Sequence, residues 1–285
     1  MGMEANVIEV GPFADRSADR PPLSYVVPVH NGTSDLGRTL KLLALRLDDR
    51  DEVVVVENGS APDLADCTRR LLEQSEWPFA VRLVECARGL GNALRAGLAV
   101  TTADLVVCTA ADLPFGFSDL DALLSLSDRP ALAVGSKAMA ADERPLKRRA
   151  ASAAFRRLRD RLVPGLPADT QGTLLGSGPL MRALAARCQE SGFLISTELL
   201  ALASHLHVRV VELPVSMDVS PSTTVRLLQN GAEMAYALYR LRRRLDEAGF
   251  YPWVAMSREV GLAVTHPECE ASAPVDIRSG RLVQA

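Results

Sequence analysis

Apolar residues in this chain gather into short unbroken runs separated by amphipathic stretches. LSYVVPV over residues 23–29 and EVVVVE over 52–57 are the clearest runs. Both are rich in β-branched residues, the pattern of strands buried on both faces. AVRLVE (80–85), DLVVCT (104–109) and ALAVGS (131–136) extend the series. Between them the period becomes helical. SDLGRTLKLLALRL repeats leucines at helical spacing behind Ser34, a predicted N-cap. A second helix is predicted from Pro62, a residue favoured in a first turn. GLGNALRAGLAV reads as a helix opened by glycines, and a short helix follows around 120–126.

Strand and helix alternating this regularly predict βαβ units, an α/β fold with a mostly parallel, doubly wound central sheet flanked by helices. Ligands of such sheets bind beyond the carboxyl ends of the strands. The turns at 30–33, 57–60, 86–91 and 110–115 would then share one rim, and all four are polar or glycine-rich. From Ala141 the character changes. ADERPLKRRAASAAFRRLRDRL sets many basic residues on a helical pattern, with Arg148, Ser152, Arg156 and Arg159 three or four residues apart on one face. Helices at 178–189 and 197–205, a strand at 208–215 and a long helix at 227–247 complete the pattern. That last helix carries Leu228, Met234, Leu238, Leu241 and Leu245 on one side.

The predicted organisation is a flexible leader at 1–21, a main domain at 22–248 and a C-terminal extension at 249–285. The domain divides into two halves, 22–136 and 137–248. The 285 residues carry a net charge of -3, which supplies no basic field, so nucleic acid is not a predicted partner. Five cysteines without paired spacing predict reduced thiols in a cytoplasm. The N-terminus has no basic segment followed by an apolar run, so no signal peptide is predicted. No uncharged apolar stretch approaches the roughly 18 residues of a membrane helix. The expected location is cytoplasmic, with any membrane contact peripheral on the inner face.

Six segments, taken in order, carry a family resemblance. YVVPVHNGTSDLGRTLKLL resembles the first strand-turn-helix of glycosyltransferase family 2. VVVENGSAPD, CARGLGNALRAGL and TAADLPF are similar to its second-strand turn, its glycine-rich helix start and its metal-binding carboxylate turn. GSKAMAADERPLKRRAASAAFRRLRDRLVPGLPADTQG and STELLALASHLHVRVVELPV resemble the acceptor region of polyprenyl-phosphate hexosyltransferases. The resemblance implies a GT-A, Rossmann-like fold with a C-terminal helical extension. It implies a hexosyltransferase acting from a UDP- or GDP-hexose on a phosphorylated acceptor, above all a polyprenyl phosphate.

Residue by residue, Pro28, His30, Asn31, Glu57, Asn58, Gly59, Arg88, Gly89, Gly91, Ala110 and Ala111 would line the donor pocket. Asp112 would hold a divalent cation, Mg²⁺ or Mn²⁺, because these ions prefer carboxylate oxygens together with phosphates. Asp112 and Asp169 take the catalytic roles. Arg148, Ser152, Gln171 and Glu198 would bind the acceptor. Simpler readings stand beside these: an ordinary Asn-Gly turn at Asn58, helix capping at Gly89 and Gly91, a solvated basic face at Arg148, and a first-turn acid at Glu198. The chain also departs from the pattern. Ala110 stands where the family carries an acid, Gly32 replaces another, and SMDVSPSTTVR lacks the usual Arg-Lys pair, leaving Ser222, Thr223 and Arg226. Two alternatives follow: transfer to a soluble acceptor, or a nucleotide-sugar-binding protein without catalysis.

Overall fold

The computed structural model describes residues 20–136, 146–215, 231–247, 275–276 and 281–282. Most of the expected leader, the segment around Ser222, Thr223 and Arg226, and most of the expected extension lie outside these residues, as does Leu228.

The four sequence-predicted N-terminal strands form as β1 (Leu23–Val29), β2 (Glu52–Asn58), β3 (Ala80–Cys86) and β4 (Leu105–Cys108). They alternate with α1 (Thr33–Leu43), α2 (Pro62–Glu73) and α3 (Leu90–Val100), followed by α4 (Ser118–Leu124) and β5 (Leu132–Ser136). The C-terminal half supplies α5 (Leu146–Leu162), β6 (Leu174–Ser177), α6 (Gly178–Ala185), α7 (Ile195–His205), β7 (Val210–Pro214) and α8 (Gly231–Glu247). A separate two-stranded ladder pairs Val275–Asp276 with Arg281–Leu282.

The main sheet has seven strands in the order β3-β2-β1-β4-β6-β5-β7. The pairs β1–β2, β1–β4, β2–β3 and β5–β7 are parallel, and β6 runs antiparallel to both β4 and β5. β6 is the element the hydrophobic pattern does not predict. Its four residues sit between glycines within a stretch that reads as a loop, and its reversed direction follows from no local signal.

Alternation along β1 explains the layers. Leu23, Tyr25, Val27 and Val29 pack with Leu36, Leu40 and Leu43 of α1 and with Leu120 and Leu123 of α4. Val26, with Val54 and Val56 of β2, packs on the other side against Leu94 and Leu98 of α3, Met181 of α6 and Leu199 of α7. Leu241 and Leu245 of α8 join that second cluster, as the leucine stripe predicts. β1 and β2 are therefore covered on both faces, and their period-2 alternation feeds two cores rather than one core and solvent.

Two local expectations are corrected. The residue capping α1 is Gly32, not Ser34, and no side chain caps this end. Thr33 is turned sideways instead, its hydroxyl paired with that of Thr68 on α2 at 3.0 Å. The helices predicted at 178–189 and 197–205 run over Gly178–Ala185 and Ile195–His205.

Asp119, in the first turn of α4, is 3 % exposed. Burial pushes its carboxyl up to about 6, although the Thr173 hydroxyl and the Leu120 N–H both donate to it. A carboxyl raised in the folded state binds its proton more tightly there than in the unfolded chain. Its contribution to stability is full below about pH 4 and is lost as pH rises toward about 6, by up to roughly 3 kcal/mol. Asn in its place keeps an acceptor oxygen and removes the charge. Urea midpoints of wild type and Asp119→Asn, measured from pH 4.5 to 8, are expected to diverge progressively in favour of the variant as pH rises.

Candidate active site at the carboxyl rim

The topology brings the four predicted turns together. β3, β2, β1 and β4 are adjacent and parallel, so residues 86–91, 57–60, 30–33 and 110–115 leave the sheet on the same edge. The antiparallel β6 adds a fifth segment. Leu174 pairs with Cys108 at the end of β4, so the residues preceding it, Asp169 to Thr173 in chain order, approach this rim from outside the sheet. Asp169 and Gln171 are thus placed on the same edge as Ala110, Ala111 and Asp112.

The first two turns lock together through side chains. Pro28, half-buried in β1, lies opposite Val56, and Val29 lies opposite Glu57. His30 Nδ1 lies 3.0 Å from the Asn58 carbonyl oxygen, which can only accept, so this nitrogen carries the proton. Nε2 then accepts from Asn31 Nδ2 at 3.3 Å, while Asn31 Oδ1 accepts the Ala61 N–H at 3.0 Å. Asn31 adopts a left-handed φ of 55°, which asparagine tolerates. Glu57 is 5 % exposed; its Oε1 accepts the Ser60 N–H at 2.7 Å. Its Oε2 is buried without a hydrogen-bond partner.

Gly59 and Arg88 meet closely, since a Cβ on Gly59 would come within 3.0 Å of the Arg88 backbone nitrogen. Asn58 Oδ1 accepts the Gly89 N–H at 2.6 Å, which fixes the turn before α3 to the end of β2. The glycine-opened start of α3 has a different cause from the one the sequence suggests. A Cβ on Gly89 would lie 2.2 Å from the Ser191 carbonyl oxygen, and one on Gly91 would lie 2.0 Å from that of Glu190. The Gly91 N–H donates to Ser191 O at 2.9 Å. These glycines admit the chain's own backbone, and the first turn of α3 is partly closed.

In the carboxylate turn, Ala110 is exposed and Ala111 and Asp112 are half-buried. The Ala111 carbonyl accepts the Thr39 hydroxyl at 2.7 Å. Leu113 is buried with φ of 46°, a strained conformation for a leucine. Asp112 makes no ion pair or hydrogen bond with a described residue. No group of three His, Cys, Asp or Glu side chains able to hold a metal occurs among the described residues. The donor set here is one carboxylate, which fits a cation shared with a ligand's phosphates rather than an all-protein cage.

On the acceptor side, Asp169 Oδ1 accepts the Gln171 N–H at 2.9 Å, and Gln171 Nε2 donates to Thr197 Oγ1 at 3.3 Å. The single basic face expected on α5 divides. Arg156 is exposed and Ser152 half-buried, whereas Arg159 is 2 % exposed and donates to Asp160, Ala168 O and the Thr170 hydroxyl. Arg159 therefore braces the 168–170 loop. Arg148 lies on α5, about three turns before Arg159. Glu198 is 2 % exposed and faces neither solvent nor a cavity: it pairs with Arg244 at 2.6 Å and accepts the N–H groups of Gln189 and Glu190. Its expected contact with an acceptor is corrected by this full coordination. Sequence reading missed Thr173, Thr197, Ser191 and Arg244, whose partners are long-range and leave no local pattern.

A groove of about 760 Å³ lies between α3 and α6 and reaches Cys86 and Ala87 in the rim turn after β3. Its arginines already serve the backbone, Arg95 bonding Cys188 O and Arg182 bonding Thr101 O and Ala103 O.

Comparison with known proteins agrees with this arrangement. The sequence model described as Glycosyl transferase family 2 matches residues 24–177, more than half of the chain. An undecaprenyl-phosphate 4-deoxy-4-formamido-L-arabinose transferase of Pseudomonas syringae pv. syringae (strain B728a) is 29% identical over 117 residues, covering 40% of this chain and 35% of that one. Its counterpart from Pseudomonas savastanoi pv. phaseolicola (strain 1448A / Race 6) is 28% identical over 117 residues. The match spans about a third of the length of these curated relatives. Among solved structures, glucosyl-3-phosphoglycerate synthase from Mycobacterium tuberculosis, in complex with Mn²⁺, UDP-glucose and phosphoglyceric acid, superposes with a TM-score of 0.54. It is 16% identical, with 85% of this chain and 81% of that one covered, and the same enzyme with glycerol 3-phosphate gives 0.53. The likeness bears out the expected GT-A architecture.

The close approach at α3 yields a direct test. Gly91→Ala places a methyl group against backbone and is expected to cost about 1–3 kcal/mol. Gly32→Ala, whose Cβ would meet only His30 O at 3.8 Å, should cost less than about 0.5 kcal/mol. Urea unfolding of the two variants measures the difference.

Proposed function

Since the chain belongs to glycosyl transferase family 2, we propose that it moves a hexose from a UDP- or GDP-sugar to a phosphorylated acceptor, foremost a polyprenyl phosphate. The observation that carries the reading is Glu57. A carboxylate oxygen buried without a partner costs free energy that a protein does not normally leave uncompensated. At the end of β2 it is available to accept an N–H from a nucleobase edge or a ribose hydroxyl. His30, Asn31, Asn58 and Ser60 hold one another in place around it, so little ordering is left for the ligand to impose. The donor complex of the Mycobacterium tuberculosis synthase, with its Mn²⁺ and UDP-glucose, supports the donor class.

Asp112 is the residue that would hold a divalent cation together with the donor diphosphate. Such an ion neutralises charge developing on the leaving group. The packing that imposes the strained φ of the buried Leu113 beside it also restrains the Asp112 turn. An acceptor phosphate is already ionised at neutral pH, so positioning matters more than a general base. Asp169 and Gln171 flank that position on the rim, and Arg148 and Ser152 of α5 would hold the acceptor phosphate. No described helix is long and apolar enough to cross a membrane. The exposed Tyr236 (64%) and Tyr239 (52%) of α8, one residue before Arg240, support peripheral contact with a bilayer that presents the acceptor.

Ala110 favours one second reading, a nucleotide-sugar-binding protein without turnover, because the turn lacks its first acid. The phosphoglyceric acid bound by the Mycobacterium tuberculosis synthase also favours a soluble phosphorylated acceptor. Transfer of radiolabelled hexose from UDP- and GDP-glucose or -mannose to undecaprenyl phosphate and to 3-phosphoglycerate, with and without Mn²⁺, separates the three readings.

Two variants test the roles. Glu57→Gln replaces an acceptor by a donor on one side and is expected to weaken binding of the cognate nucleotide by about tenfold to a hundredfold, read by calorimetry. Arg148→Ala is expected to lower kcat/KM for the phosphorylated acceptor by a similar factor while nucleotide affinity stays unchanged. Wild-type kinetics in that variant would remove the α5 face from the acceptor site.

A further inference from the structure

The loop at 188–191 is held from three directions. From α7, Glu198 Oε2 accepts the N–H groups of Gln189 at 3.0 Å and Glu190 at 2.8 Å. From α3, Arg95 donates to the Cys188 carbonyl at 3.0 Å. From α8, Arg244 reaches Glu198 at 2.6 Å with one terminal nitrogen and Glu190 at 3.3 Å with the other. The held backbone then seats the first turn of α3. Ser191 O accepts the Gly91 N–H, and the carbonyls of Glu190 and Ser191 occupy the space in which Cβ atoms at Gly91 and Gly89 would lie. Gly89 in turn donates to Asn58 at the end of β2. The contacts run without a gap from the C-terminal helix to the rim turn beside Glu57.

The charge balance makes Arg244 the controlling member. Glu198 is 2 % exposed and Glu190 8 %. Burial raises the Glu190 carboxyl, the nearby Glu198 raises it further, and Arg244 lowers it, with a smaller lowering from Arg240. Removing Arg244 leaves two carboxylates close together in a dry environment, the costly half of a broken buried pair. Relief comes from protonation of one carboxyl or from movement of one of them, and both are attached to residues 189–191, directly or through Glu198's hydrogen bonds.

We propose that Arg244 and Glu198 are positioning residues for the donor turn: their ion pair fixes the backbone at 189–191, which sets the place of Gly89 and Gly91 and, through Gly89, of Asn58. This makes α8 part of the nucleotide site although it contributes nothing to the rim itself. The inference rests on the reading of the rim as the donor site.

Hydrogen–deuterium exchange on the full chain tests the positioning without any ligand. In Arg244→Met, peptides covering residues 86–93 and 187–192 are expected to exchange at least tenfold faster, beyond any change in β1, whose rate reports global stability. Arg244→Lys, which keeps the charge, should recover much of the protection. Arg209→Met, altering a surface pair, should change neither peptide. Calorimetry with UDP and GDP then reads function. Whichever nucleotide the wild type binds should bind Arg244→Met about tenfold more weakly, with the sugar-nucleotide KM raised and kcat nearly kept. Should Arg244→Met fail to fold, Arg244→Lys and Glu198→Gln carry the same comparison. Uniform acceleration of all peptides, β1 included, would reduce the ion pair to a structural brace and overturn the proposal. Unchanged exchange at 86–93 would overturn it too. If the wild type binds neither nucleotide while local exchange rises as expected, the donor reading fails and the positioning stands.

Discussion

Burial of β1 and β2 on both faces decides where polar chemistry can occur in this molecule. Their side chains fill two cores, so polar groups on these strands reach partners only at the strand ends. The two ends treat carboxylates differently. At the amino end, Asp51 accepts Arg20 at 2.7 and 2.5 Å together with the N–H groups of Leu23 and Asp48. Next to it, Glu52 Oε1 accepts Ser24, the Thr102 N–H and the Thr102 hydroxyl, and Oε2 faces Arg82 at 3.3 Å. At the carboxyl end, Glu57 retains a buried oxygen without a partner. Glu52 Oε2 likewise lacks a hydrogen bond but has Arg82 as its ion-pair partner, whereas Glu57 has no ion pair among the described residues.

The rim is built by the chain pairing its own turns before any ligand arrives. Asn58, His30, Asn31 and Ser60 exchange hydrogen bonds across two strand ends, and Thr39 holds the Ala111 carbonyl from α1. Groups already oriented cost little to reorganise when a ligand binds, which is how a fixed polar site gains over water. The strained Leu113 fits the same design, because a conformation of this kind persists only where its surroundings impose it.

Much of this was legible in the sequence, for a physical reason. Strands buried on both faces write their burial into consecutive β-branched residues, as in EVVVVE, and the turns that end them must be polar. The parallel sheet and the shared edge of the four turns followed from those two facts. Contacts between segments distant in sequence were not legible. β6 has only four residues and a direction set by what it lies between. Gly89 and Gly91 announce a close approach, yet nothing local says that Ser191 rather than a phosphate is what approaches. Arg159 shares helical spacing with Arg148 and Ser152, and Glu198 matches the family's downstream acid, so both read from the sequence as facing a site or solvent. Their burial at 2 % each, and their partners, exist only after folding.

The occupied α3 turn changes how anionic binding at this rim has to work. An open helix N-terminus offers its N–H groups and positive dipole end to a phosphate, but here the Gly91 N–H already serves Ser191 O. The rim also carries acids, Glu57, Asp112 and Asp169, alongside the exposed Arg88. A diphosphate entering this setting meets like charge, so its binding depends on positive charge from elsewhere: Arg88, a cation that arrives with the donor, or the basic helix α5. With Ala110 in place of a second acid, the Asp112 turn repels an incoming diphosphate less and grips a cation less. Under the proposed function, Ala110 would favour a cation recruited together with the ligand over a resident one.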